Sequence, residues 1–255
     1  MLVQLPNGLI DGVDFFNYAE IDELRGKQQN YLANKDLVVG NIGHVPKILE
    51  DCVLSLQTKE GLKWGGKMAD AIQKLPVGDL EVLLIKIREN TYGERFYFEA
   101  ECPHCNTKNK DLRINLNELE LDILPIETQM DKQRITFMLP KAGQEVEIKP
   151  LYLRDLFDSI KTLKNKQDEL VTGVLALSLK RLGDNTKVTP KDVEKLSVKD
   201  LMFLKEKLEG VKIEGTIDTN VEMTCKNCGK NSSSKMDVFG ADFFDPTKAS
   251  STSST

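Results

Sequence analysis

Two turns of the same spacing hold the residues best suited to chemistry: Cys102-Pro103-His104-Cys105 and Cys225-Lys226-Asn227-Cys228. A C-x-x-C turn presents two thiolates on one side of a tight loop. Two such turns can close a tetrahedron around Zn2+ at Zn–S distances of about 2.3 Å. Four thiolates leave no coordination position for water, so the expectation is one structural zinc ion per chain, held by Cys102, Cys105, Cys225 and Cys228. A redox dithiol competes with this reading, but a thioredoxin-like site needs one C-x-x-C opening a helix after a strand. Iron–sulfur half-sites and plain buried thiols complete the alternatives. The pairs stand 120 positions apart, counted from Cys105 to Cys225, far more than in a short zinc finger. The metal would therefore staple distant parts of one fold, closing a long loop.

Little else in the chain suggests catalysis. Only two histidines are present. His104 reads as a solvent-facing member of the first turn, because Cys102 and Cys105 already take its ligand positions. His44 sits in a Gly-rich turn without a recognisable partner. Cys52, in EDCVLSL, reads as a small core residue, and Trp64 as a partly buried one. The phosphate-binding, dinucleotide-binding and nucleophile-elbow patterns are missing. A hydrolytic zinc site would need histidine or carboxylate ligands and an open position. The expectation is a protein that is not an enzyme.

Charge and length narrow the class. The chain of 255 residues carries a formal net charge of −5, which argues against a binder that works by neutralising phosphates. Its Lys and Arg residues interleave with Asp and Glu, as in KTLKNKQDE (161–169), the pattern of a solvated helix face. The most apolar helical stretch, LVTGVLALSL (170–179), is too short to cross a bilayer and reads as core. The N-terminus lacks a secretory pattern, so a protein cytosolic at synthesis is expected, where cysteines favour metals or free thiols over disulfides.

The elements that must position the cysteines follow from periodicity. ERFYFEAE (94–101) and KDLRINLN (110–117) alternate as strands around the first turn, and VKIEGTIDTNVEMT (211–224) leads as strand into the second. Leu80, Leu83, Leu84 and Ile87 predict an amphipathic helix ended by Gly93. ITFMLP and EVEIK predict a hairpin with Gly143 in its loop. Helical spacing is read in DFFNYAEIDELRGKQQNYLANK, RDLFDSIKTLKNK and DELVTGVLALSLKRLGD. Thr189-Pro190-Lys191-Asp192 and Ser197-Val198-Lys199-Asp200 read as helix starts.

Two segments echo each other: LPVGDLEVLLIKIREN (75–90) and LSVKDLMFLKEKLEG (196–210), each followed by strand and a C-x-x-C. A fainter echo aligns Leu5-Pro6 and Tyr18 with Leu139-Pro140 and Tyr152. The predicted fold class is α+β: two related helix/hairpin halves joined at a split four-cysteine, zinc-ribbon-like site. The halves are 1–128 and 129–244, each ending in its cysteine turn, with 245–255 a disordered tail.

This order of features resembles a known family. A leading LP-G hairpin precedes helices, an L-P-x-x-D-L helix and strand-CPxC-strand. A second LP hairpin, the turn Lys149-Pro150-Leu151 and a C-x-x-C-G then follow. The pattern is similar to the baseplate hub assembly proteins of T-even-type, contractile-tailed bacteriophages, over most of residues 1–240. The resemblance implies a structural or assembly role through contacts with other tail and baseplate hub proteins; the apolar lengths argue against a membrane and the net charge against nucleic acid as a partner. It implies work in the host cytoplasm during assembly, and leaves open whether the chain stays in the virion. The alternative is a zinc-ribbon nucleic-acid-binding accessory protein, for which Lys108, Lys110 and Arg113 follow the first turn.

Overall fold

The first sheet is built by alternation. Strands β1 (Leu2–Asp11) and β2 (Asp14–Ile21) form an antiparallel hairpin that reverses at Gly12, where φ is +63°. Val3, Leu5, Ala19 and Ile21 point into the core. Helix α1 (Gly26–Ala33) and helix α2 (Val45–Cys52) follow, and strand β3 (Val53–Gln57) joins the sheet beside β2. The segment Asp14–Ile21, expected to begin a helix, is thus a central strand. Pairing on both sides satisfies its backbone while Phe16, Ala19 and Ile21 are buried. The computed structural model describes residues 1–34, 42–123, 135–157, 170–210 and 215–249.

Helices α3 (Met68–Lys74) and α4 (Val77–Tyr92) come next, and Gly93 ends α4 at φ +84° as its sequence predicts. The four leucines and isoleucines that predicted α4 are buried, but so are Val82 and Ile85. The helix is therefore not a surface amphipath: it runs through the core, apolar on most sides. The first sheet covers one side. On another lie Ile217, Met236, Val238, Phe243 and Phe244 from late in the chain. Arg88, wholly buried on α4, donates from Nε to the carbonyl of Phe243 at 2.7 Å.

Strands β4 (Arg95–Glu101) and β5 (Lys108–Asn115) form the ladder around the first cysteine turn, and the short β6 (Leu121–Asp122) follows. A second three-stranded sheet contains β7 (Ile135–Met138), β8 (Glu145–Ile148) and β9 (Leu179–Leu182), with helix α5 (Leu170–Leu177) leading into β9. The expected hairpin around Gly143 is present as β7–β8. SLKRL, expected to continue the preceding helix, is instead strand: β8 offers Leu179–Leu182 an edge, and Leu179 and Leu182 enter a second core with Leu139, Val146 and Leu204. Helix α6 (Pro190–Glu194) has the predicted start, a capping box between Thr189 and Asp192. Helix α7 (Val198–Gly210) precedes β10 (Thr216–Ile217), which pairs with β6. Strands β11 (Asn220–Thr224) and β12 (Asn231–Lys235) flank the second cysteine turn.

The tail is not wholly unstructured, because Pro246–Ala249 form a 3-10 turn against β4. The expectation for 250–255 lies outside the described residues. So do most of the helix read in RDLFDSIKTLKNK (154–166), of which 154–157 is seen as helix, the strand reading of 211–214 and the boundary at 128/129.

A similar order of elements occurs twice: hairpin, helical segments, third strand, two helices, then a ladder with a cysteine turn, which in the second case follows the short β10. The registers match as well. The pairing of β2 with β3 shifts between Glu20 and Ile21, and that of β8 with β9 shifts between Glu147 and Ile148. The aspartates of the echoed helices do the same work. Asp79 accepts N–H bonds from Asn7 (2.8 Å) and Gly8 (2.9 Å), just after Leu5-Pro6. Asp200 accepts the N–H of Lys141 at 2.8 Å, just after Leu139-Pro140. The tyrosines, however, are not counterparts. Tyr18 lies opposite Gln4 in β2, the position that Glu145 holds opposite Met138, whereas Tyr152 lies beyond β8 and bridges Pro76. The first hairpin is longer, and this breaks the constant offset.

Candidate metal centre

Each cysteine turn closes on itself through the same pair of backbone bonds. The Cys102 N–H donates to Thr107 O (3.0 Å) and the Asn106 N–H to Cys102 O (2.8 Å). The Cys225 N–H donates to Lys230 O (3.0 Å) and the Gly229 N–H to Cys225 O (2.9 Å). The residue after the second cysteine has left-handed backbone in both: Asn106 at φ +55° and Gly229 at +70°. Asn and Gly are the types that reach this region most readily. The flanking ladders β4–β5 and β11–β12 hold each loop open in the same way.

The two turns meet. Cys102 Sγ lies 3.8 Å from Cys228 Sγ, and Cys105 Sγ lies 3.6 Å from Cys225 Sγ. All four sulfurs fall within 4.8 Å of one another. A regular tetrahedron with metal–sulfur distances of about 2.3 Å has sulfur–sulfur edges of about 3.8 Å. The two measured edges therefore have the length expected around a metal ion held by four thiolates, and the donor set is soft. Cys102 and Cys225 are buried, Cys105 is half-buried and Cys228 is exposed. His104 is exposed at the turn's tip. Cys52 is buried elsewhere, and burial pushes its thiol up to about 12, the state of an inert core thiol.

The local electrostatics favour thiolates along one edge of the cluster, Cys105 and Cys225. The Thr107 hydroxyl and N–H hold Cys105 down at about 6, and the N–H groups of Cys228 and Asn227 lower Cys225. At Cys228 the Lys230 N–H pulls downward, but burial and the neighbouring thiols outweigh it and raise the group to about 11. Four clustered thiols cannot all ionise against one another. A divalent cation at the centre removes that conflict by ligating every sulfur as thiolate.

Two asparagines that the sequence did not single out brace the cluster. Asn109 on β5 is 1% exposed. Its Oδ1 accepts the N–H of Lys226 at 2.9 Å, and its Nδ2 donates to Thr107 O at 3.1 Å and to Cys225 Sγ at 3.7 Å. Asn227, in the second turn, donates from Nδ2 to Thr107 Oγ1 at 3.1 Å and to Cys105 Sγ at 3.7 Å. The only sequence signal for Asn109 was a polar residue between two lysines in a strand, which carries no message without the fold.

A family model described as T4 bacteriophage base plate protein matches residues 40–245, a span that contains both cysteine turns and both echoed helices. No curated protein and no solved structure matches the chain. With most of its length under that match, the chain belongs to the T4 bacteriophage base plate protein family.

Proposed function

We propose that this chain is a baseplate hub assembly or structural protein, acting in the host cytoplasm through contacts with other tail proteins, with its fold fastened by one structural zinc ion. The four-sulfur cluster carries this reading. Two of its edges have the length of a closed tetrahedral thiolate site, which supports Cys102, Cys105, Cys225 and Cys228 as the four ligands, with no position left for substrate. Family membership supports the tail role. The absence of the common catalytic sequence patterns supports action by binding rather than turnover.

The two halves, 1–128 and 129–244, are copies of one unit, and the ion joins them. The repeated element order, the matching strand registers and the paired roles of Asp79 and Asp200 support this. The copies have diverged, since α4 is wrapped on most sides while α7 exposes Val198 and Met202.

The test is elemental analysis of the purified chain together with co-purification against the other baseplate components. One zinc per chain and stoichiometric capture of a hub component is the expected result. Metal-free protein with four titratable thiols would remove the zinc. Salt-sensitive binding to nucleic acid without capture of tail proteins would replace the assembly role with the nucleic-acid one.

A further inference from the structure

Cys105 and Cys225, whose sulfurs lie 3.6 Å apart, are also the pair that receives amide donors, and each donor comes from the opposite cysteine-turn unit. Asn109 reaches from the first ladder to Cys225 Sγ, and Asn227 reaches from the second turn to Cys105 Sγ. Asn109 is buried and fully used: its oxygen holds the Lys226 N–H, which fixes the second turn, while its nitrogen bonds Thr107 O and the sulfur. Thr107 is shared, because its hydroxyl takes the Asn227 donor and lies 3.4 Å from Cys105 Sγ.

We propose that Asn109 and Asn227 are positioning residues of the metal centre, seating each cysteine turn on the other and drawing charge from the bound thiolates. This rests on the zinc reading above. A divalent ion with four thiolates carries a net charge of −2, and N–H donors to sulfur spread that charge and lower the energy of the ligated state. The donors cross between the ladders, so they also pay part of the cost of bringing the two turns together before the ion arrives. Outer-shell partners of this kind typically change metal affinity by about 10–100-fold.

The experiment uses the full chain, with Zn2+ affinity measured by chelator competition and Co2+ as a spectroscopic probe. Asn109→Leu keeps the volume but removes both hydrogen-bonding functions. Asn227→Ala lies on an exposed turn and does not threaten folding. N109L is expected to weaken binding by about 10–100-fold, and N227A by a smaller factor in the same direction. In both, the sulfur-to-cobalt charge-transfer band moves to lower energy, because a thiolate that loses a donor gives up its electron more easily. A merely structural role would lower stability without moving that band. Wild-type affinity and an unmoved band in N227A, together with the same in N109L or with an N109L that fails to fold, would overturn the proposal. Wild-type chain that binds no metal would instead overturn the zinc reading on which it rests.

Discussion

Single residues carry the sharpest consequences. Any one of the four cysteines is expected to be indispensable to the site: Cys225→Ser should abolish stoichiometric zinc and lower thermal stability, read by elemental analysis and calorimetry on the same sample. Retained zinc with an unchanged midpoint would show that Cys225 is not a ligand. Asp79 makes a different kind of claim. It is wholly buried, and burial pushes its carboxyl up to about 7 against the pull of the Asn7 and Gly8 donors. Asp79→Asn turns one acceptor oxygen into a donor facing another N–H, and a loss of about 1–3 kcal/mol in urea unfolding is expected. His44 is buried edge-on to Phe244, its ring centroid 6.4 Å away, and desolvation lowers its pKa despite the opposing pull of Asp237. The unfolded chain therefore binds the His44 proton first. The stability this histidine confers is complete above about pH 6.5 and is lost as pH falls through the lower folded value. Asp79 acts with the opposite sign, contributing below about pH 4 and fading as pH rises through about 7. Comparing His44→Leu with wild type isolates the histidine: the variant should lose less stability on acidification, and parallel pH profiles would contradict this.

Among the elements, legibility followed how local the signal was. The Thr189–Asp192 capping box, the hairpin around Gly143, the C-x-x-C ladders and the start of α7 are written within a few residues, and the sequence shows them. Asp14–Ile21 and Leu179–Leu182 have helical spacing but are strands, because each pairs with a strand remote in sequence, β3 in one case and β8 in the other. The cysteines were legible because two equal spacings point to one chemistry; Asn109 and Asn227 were not, because only the meeting of the ladders gives them a sulfur to bond. The same distinction marks Gly78. Nothing near it in sequence calls for glycine, yet a Cβ there would lie 2.3 Å from the carbonyl oxygen of Gly215, which the Asn7 amide also holds at 2.9 Å. Gly78→Ala must therefore push Gly215 away from the start of α4. A loss of about 1–3 kcal/mol is expected in denaturant unfolding. An unchanged midpoint would mean that this approach is looser than its geometry implies.

At the scale of the molecule, the metal centre and the main core depend on one continuous stretch of chain. β11 and β12 carry the second cysteine turn, and β12 runs directly into Met236, Val238, Phe243 and Phe244, which complete the core around α4. On the zinc reading two fasteners hold this stretch: an ion at one end and Arg88 at the other, with its guanidinium 4.6 Å from the Phe96 ring and bonded to Phe243 O. Among the described residues, the second sheet packs into a core of its own that contains neither Arg88 nor any of the four cysteines. Removing zinc should therefore act unevenly. The thermal midpoint is expected to drop by on the order of 10 °C, which corresponds to losing several kcal/mol in a chain of this size. In hydrogen exchange after chelation, protection should fall first in residues 220–235, then in 236–244 and the face of α4 beneath them, while β7, β8 and β9 keep theirs. If 220–235 opens alone, the Arg88 anchor is sufficient by itself and the ion secures only the two cysteine turns. If every element loses protection together, the centre is a fastener of the whole fold and the two cores unfold as one.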